Sequence, residues 1–150
     1  MSYFDLSKPI AIGGDHAGFE YKTAVIKWLS EKGYNLQDKG VYNDGSADYP
    51  DYAHPVANLV ESGEVAFGIL ICGSANGVCM TANKHQGIRA ALCWQTDVTR
   101  LARLHNNANI ICIPARFVAL DYAKQMIEVF FETAFEGGRH ATRVDKISCV

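Results

Sequence analysis

The chain has 150 residues, 49% of them hydrophobic and 20% charged, which suits one domain with a buried core and excludes intrinsic disorder. Its 14 lysines and arginines against 16 aspartates and glutamates give a net charge of −2. That balance argues against a surface devoted to nucleic acid or anionic lipid, so no nucleic-acid partner is expected.

Met1 to Lys8 contains Asp5 and lacks the basic start and apolar stretch of a secretory signal, so none is expected. Pro9-Ile-Ala-Ile-Gly13 reads as a first strand. Glu20 to Lys32 follows as a helix, with Ala24, Val25, Trp28 and Leu29 on one face and Gly33 as its C-terminal cap. Tyr34 to Lys39 is a less apolar strand, suited to a sheet edge, and Asn43 to Asp51 is a polar loop. Tyr52 to Ser62 has helical periodicity, which requires Pro55 to lie in the first turn. Val65 to Asn83 is uncharged, but Gly73, Ser74, Asn76 and Gly77 interrupt it, so it falls short of the about 20 apolar residues of a membrane span. It reads as a buried strand, Phe67–Cys72, then a loop and a short helix reaching Lys84, with no membrane partner. Arg89 to Trp94 and Asn109 to Ile113 are the fourth and fifth strands. Thr96 to His105 and Ala119 to Glu132 are helices, while Gly137 to Val150 is ambiguous.

Short apolar strands alternating with helices predict an α/β fold: a single-domain Rossmann-like α/β/α sandwich with a five-stranded, mainly parallel sheet over residues 1–150. The five cysteines (Cys72, Cys79, Cys93, Cys112 and Cys149) are an odd set without C-x-x-C spacing, which suits a reducing, cytoplasmic setting.

Ligands of open parallel sheets bind beyond the carboxyl ends of the strands, which singles out Gly14-Asp15-His16, Cys72 to Gly77, Trp94 to Asp97 and Pro114-Ala-Arg116. Gly13-Gly-Asp-His-Ala-Gly18 fails as a dinucleotide fingerprint because Asp15 replaces the second glycine and would repel a pyrophosphate. Asp15 serves equally as a helix N-cap. A cysteine followed by Gly-x-x-x-Gly can face converging backbone N–H groups that favour thiolate and bind an oxyanion, although Cys72 could equally be a core residue. Arg139 and Arg143, four apart, would share a helix face and grip one phosphate, or belong to a solvated basic turn. His105 suits a helix C-terminus as well as catalysis. His54, His85 and His140 have no ligand spacing among themselves, so no metal is expected.

Together these segments resemble the ribose-5-phosphate isomerase B family, which includes the paired subunits of galactose-6-phosphate isomerase. The resemblance runs from Ile10 to about Ile147 through Gly14-Asp-His-Ala-Gly18, Asp48-Tyr-Pro50, Ile71-Cys-Gly-Ser74, Ala82-Asn-Lys84, Gly87-Ile-Arg-Ala90, His105-Asn106-Asn107 and Glu136-Gly-Gly-Arg-His140 with Arg143. It implies a cofactor-free, metal-free interconversion of ribose 5-phosphate and ribulose 5-phosphate by a homodimer or tetramer with shared sites. Cys72 matches the base at C2 and His105 the group that opens the ring; Asp15 and Ser74 join them in the catalytic set. Asp15, Tyr49 and Asn106 match sugar-hydroxyl contacts, and His16, Arg139 and Arg143 phosphate contacts. Arg116 falls in the set given by the partner chain with His105, Arg139 and Arg143. The amides of Gly73, Ser74, Ala75, Asn76 and Gly77 would hold the enediolate oxygen. Cysteine-type members usually carry Gly-Thr-Gly-Val-Gly where this chain has Gly73-Ser-Ala-Asn-Gly77. That loop is nearer the branch with a glutamate base at the position of Val78, so a six-carbon substrate such as allose 6-phosphate or galactose 6-phosphate is the alternative. A non-catalytic nucleotide- or flavin-binding module is the rival from another class.

Overall fold

A computed structural model describes residues 4–150; residues 1–3 of the stretch read for a secretory signal lie outside the described residues. The strands are β1 (Ile10–Gly14), β2 (Leu36–Asp38), β3 (Gly68–Cys72), β4 (Ala90–Leu92) and β5 (Ile110–Pro114). The helices are α1 (Phe19–Glu31), α2 (Pro50–Ser62), α3 (Asn76–Ala82), α4 (Thr96–Asn106), α5 (Leu120–Glu132) and α6 (Arg139–Val144), with a single 3₁₀ turn, His16–Gly18, before α1.

The strands form one sheet in the order β2-β1-β3-β5-β4, and every pairing among the described residues is parallel. Strand residues alternate between two cores. Ile10, Ile12, Ile69, Ile71, Ile111 and Ile113 face α1, α4 and α5, where they meet Val25, Leu29, Met126 and Phe130. Ala11, Leu70, Cys72, Ile110 and Cys112 face α2 and α3, against Ala53, Val56, Val78 and Ala82. With both faces covered, β3 and β5 are buried at every position, and each large aliphatic contributes roughly 1.5–3 kcal/mol. The short β2 lies at the edge, as its weaker apolarity predicts.

Two elements differ from expectation. Helix α2 begins at Pro50, whose fixed φ and missing N–H suit a first helical position. Pro55 therefore lies inside the helix rather than in its first turn, where the packing of Ala53, Val56 and Ala57 holds the segment helical despite one lost backbone bond. The ambiguous tail folds as α6, which puts Arg139 and Arg143 on one short helix.

The chain order reverses direction between β1 and β3: β2 lies to one side of β1 and β3 to the other. A crevice at such a switch point opens at the carboxyl ends of both strands. Asp15 follows β1 there, and Cys72 ends β3.

Candidate active site

The centre of the crevice is a thiol on a carboxylate. Cys72 Sγ donates to Asp15 Oδ2 at 3.1 Å, and the two residues are 8% and 7% exposed. Asp15 Oδ1 also accepts the Ala17 N–H at 3.0 Å, so the N-cap reading and the site reading of Asp15 both hold. Backbone makes this approach possible. A Cβ on Gly14 or Gly18 would lie 1.9 or 2.1 Å from the Ile71 carbonyl oxygen, so only glycines let the β1 turn pack onto the end of β3.

The protonation of Cys72 corrects the sequence expectation. The Gly73 and Ala75 amides do face the sulfur and favour its thiolate. Burial outweighs them, and the bond to Asp15 and its charge add to burial, pushing the Cys72 thiol up to about 11. At neutral pH the resting group is a thiol. Among the described residues none of the other four cysteines donates to a carboxylate: Cys79 and Cys93 donate to the Ala90 and Ala91 carbonyls, Cys112 is fully buried and Cys149 is exposed.

Around this pair the structure gathers most of the candidates. Gly73 leads into Ala75, which caps α3 with φ 62° in the left-handed region. Ser74 Oγ accepts the Asn76 backbone and side-chain N–H groups at 3.4 and 3.2 Å. Tyr49 lies over Gly77, where a Cβ would approach its ring within 2.5 Å. His16 Nδ1 accepts the Ala47 N–H at 3.2 Å. Arg116 belongs here too: a Cβ on Gly73 would lie 3.1 Å from its guanidinium carbon, and its backbone N–H donates to the Gly73 carbonyl at 3.1 Å. It therefore sits with its own chain's Cys72 and not beside His105, Arg139 and Arg143, as the resemblance grouped it. A cavity of about 450 Å³ opens alongside, lined by Ser74, Asn76, Leu92, Trp94, Pro114 and Phe117.

His105 and Asn106 are elsewhere. Helix α4 runs antiparallel to the strands, so its last turn lies where β5 begins, whereas Cys72 is in register with Pro114 at the far end of β5. Four strand steps of about 3.3 Å separate those ends by about 13 Å along the sheet. The end of α4 is closed by Asn107, with φ 48°, and by the buried Arg103. Arg103 donates to Thr133 O (3.1 Å), Asn107 Oδ1 (3.1 Å) and Ala108 O, and stacks 4.2 Å from the Phe4 ring. Capping thus falls to other residues, and the half-exposed His105 is left to stack on His140, ring centroids 4.2 Å apart. Glu136 Oε2 lies 3.8 Å from His105 Nε2 and 3.9 Å from His140 Nε2. Arg139 and Arg143 are exposed on α6, and neither forms an ion pair among the described residues.

Comparison with known proteins places these features in a family. Residues 10–147 match the family described as Ribose/Galactose Isomerase. This chain belongs to that family. The ribose-5-phosphate isomerase B of Escherichia coli K12 is 41% identical over 95% of this chain and 96% of its own. Among solved structures, ribose 5-phosphate isomerase B of Thermotoga maritima superposes with a TM-score of 0.93 at 47% identity, covering 95% of this chain and 99% of that one. The Mycoplasma genitalium enzyme with bound ribulose-5-phosphate gives 0.89 at 42% identity, covering 95% of each.

As a member of the ribose/galactose isomerase family, the chain carries its candidate residues in two groups at opposite ends of one sheet. Sequence reasoning quoted Glu136 and His140 as motif residues without giving them a role. The only signal was their closeness in the Glu136-Gly-Gly-Arg-His140 segment, in which Glu136 precedes α6 and His140 lies on it.

Proposed function

We propose that the protein interconverts ribose 5-phosphate and ribulose 5-phosphate by proton transfer through an enediolate, in dimers whose sites are shared. The observation that carries the reading is the buried Cys72–Asp15 pair at the sheet's switch point, in a chain over 40% identical to ribose-5-phosphate isomerases B along nearly its full length. Moving a proton between two adjacent carbons needs a base, an oxyanion site and no redox change. In this reading Asp15 draws the proton from the Cys72 thiol, and the thiolate takes the proton from C2 of the opened sugar. The proton returns at C1, and the C2 hydroxyl proton passes to the C1 oxygen, so the carbonyl moves from C1 to C2 with no atom gained or lost. Loop amides from Gly73 to Gly77 stabilise the enediolate oxygen, which lowers such barriers by several kcal/mol. Tyr49 and Ser74 hold hydroxyls, while His16 and Arg116 border the phosphate end.

The separation of the two residue groups supports sharing. One chain holds His105 about 13 Å or more from its own Cys72, too far for both to touch one five-carbon sugar. A second copy of the chain can bring His105 for ring opening, Asn106 for a hydroxyl, and Arg139 and Arg143 for phosphate. Trp94 and Phe117, 53% and 74% exposed beside the crevice, give such a partner an apolar footing. Five unpaired thiols suit a reducing, cytoplasmic location, and no described helix is long and apolar enough to cross a membrane.

The test is an isomerase assay over ribose 5-phosphate, allose 6-phosphate, galactose 6-phosphate and unphosphorylated ribose. Ribose 5-phosphate should give the highest kcat/KM, and free ribose almost none. Preference for a six-carbon phosphate would reassign the substrate, and equal turnover of ribose with and without phosphate would remove the role of the arginines.

A further inference from the structure

We propose that His105, Glu136 and His140 form a binding site for a divalent transition-metal ion of the zinc class, and that an ion bound there inhibits the protein. One donor atom from each residue lies within 4.8 Å of the other two, the one such group among the described residues. Two imidazoles and a carboxylate are a donor set that zinc takes readily, with a fourth position left open.

A second, independent observation points to a ligand. His140 is 8% exposed, and its Nε2 is fully buried without a hydrogen-bond partner among the described residues. A buried ring nitrogen left unsatisfied costs roughly 1–3 kcal/mol. The atom lies 3.9 Å from Glu136 Oε2, beyond hydrogen-bond reach yet close to what one ion between them requires. Donors about 2.1 Å from a tetrahedral ion lie about 3.4 Å apart, so the observed 3.8 and 3.9 Å must shrink by about half an ångström.

The mobile members of the set can make that change. His140 is fixed by burial, whereas Glu136 is 57% exposed and His105 39% exposed at their side chains. The rings are stacked at 12°, so their nitrogen lone pairs run side by side, and His105 must tilt for them to converge. The other histidine pair, His54 and His85, is already satisfied by a 2.8 Å contact between the rings and by Glu61.

Inhibition rests on the proposed role of His105 in ring opening: a nitrogen bound to an ion can neither take nor give a proton. The metal site itself does not depend on that role. The experiment is titration of the purified full-length chain with Zn²⁺ against a chromophoric chelator, with Co²⁺ absorption reporting coordination. One ion per chain should bind. Glu136→Gln and the half-exposed His105→Asn should each weaken it by more than the about 10–100-fold typical of residues that only support a ligand. Cys149→Ser and His85→Ala should leave affinity unchanged. Zn²⁺ held equally well by Glu136→Gln and His105→Asn overturns the site, as does loss of binding in Cys149→Ser or His85→Ala. Circular dichroism of each variant separates loss of a ligand from loss of fold. In the activity arm, Zn²⁺ should inhibit and chelator should restore the rate. An ion that binds through these three residues without inhibiting leaves the metal site standing and removes His105 from the reaction.

Discussion

At the scale of single residues, Cys72 is held as a thiol, the wrong form for the base proposed above, and Asp15 is one cause of that. Its bond and charge rank just after burial among the forces raising the thiol. Asp15→Asn removes the charge, so the thiol should titrate lower and react faster with iodoacetamide at neutral pH. Isomerisation in the same variant should nevertheless fall by about a hundredfold or more, because the proposed site also uses Asp15 to place a sugar hydroxyl. Alkylation no faster than wild type would disprove the electrostatic account. Cys72→Ala should slow exchange of the C2 proton with deuterated solvent by at least about a hundredfold while sugar phosphate still binds. The same thiol couples to stability. Its folded value, about 11, lies above the ordinary 9.0, so the fold prefers the protonated form. That preference is fully present below about pH 9 and is lost as pH rises towards 11, and Cys93, also raised to about 11, acts in the same sense. Urea midpoints should fall across that window in wild type and fall less in a Cys72→Ala, Cys93→Ala double variant.

At the scale of elements, the site depends on how closely the β1 turn approaches β3. Gly18→Ala sets a methyl 2.1 Å from a backbone oxygen that cannot swing aside, and should cost at least about 3 kcal/mol in urea unfolding. Gly63, at φ 79° with nothing within 4 Å of an added Cβ, isolates the conformational cost alone; Gly63→Ala should cost about 1–2 kcal/mol. Similar losses from both changes would mean that the close contact is not what holds the turn. Strands of this kind were legible because burial on both faces leaves β3 and β5 as unbroken apolar runs. The start of α2 was not, because Pro50 reads equally as the end of a polar loop. Arg103 and Lys22 look in sequence like solvated helix faces. They are buried because Asp38 meets Lys22 at 2.7 Å and three acceptors after α4 meet Arg103. The loop amides near Cys72 could be anticipated from local pattern, whereas Asp15, 57 residues away in sequence, sets the protonation state through a contact that only the folded sheet creates.

At the scale of the whole molecule, the two residue groups occupy opposite ends of the sheet, and the proposed site is completed by a second chain. Cys72→Ala and His105→Ala should each be nearly inactive. When dissociated and reassembled together in equal amounts, half of the dimers are mixed, with one site carrying both lesions and one carrying neither, so about a quarter of wild-type activity should return. Verified heterodimers without activity would place the site within one chain. The same division has a genetic meaning. After a duplication, one copy can lose the His105 end and the other the Cys72 end without any mutation that improves either. From then on each gene is worthless alone, the pair is retained together, and a homodimer has become an obligate partnership by decay.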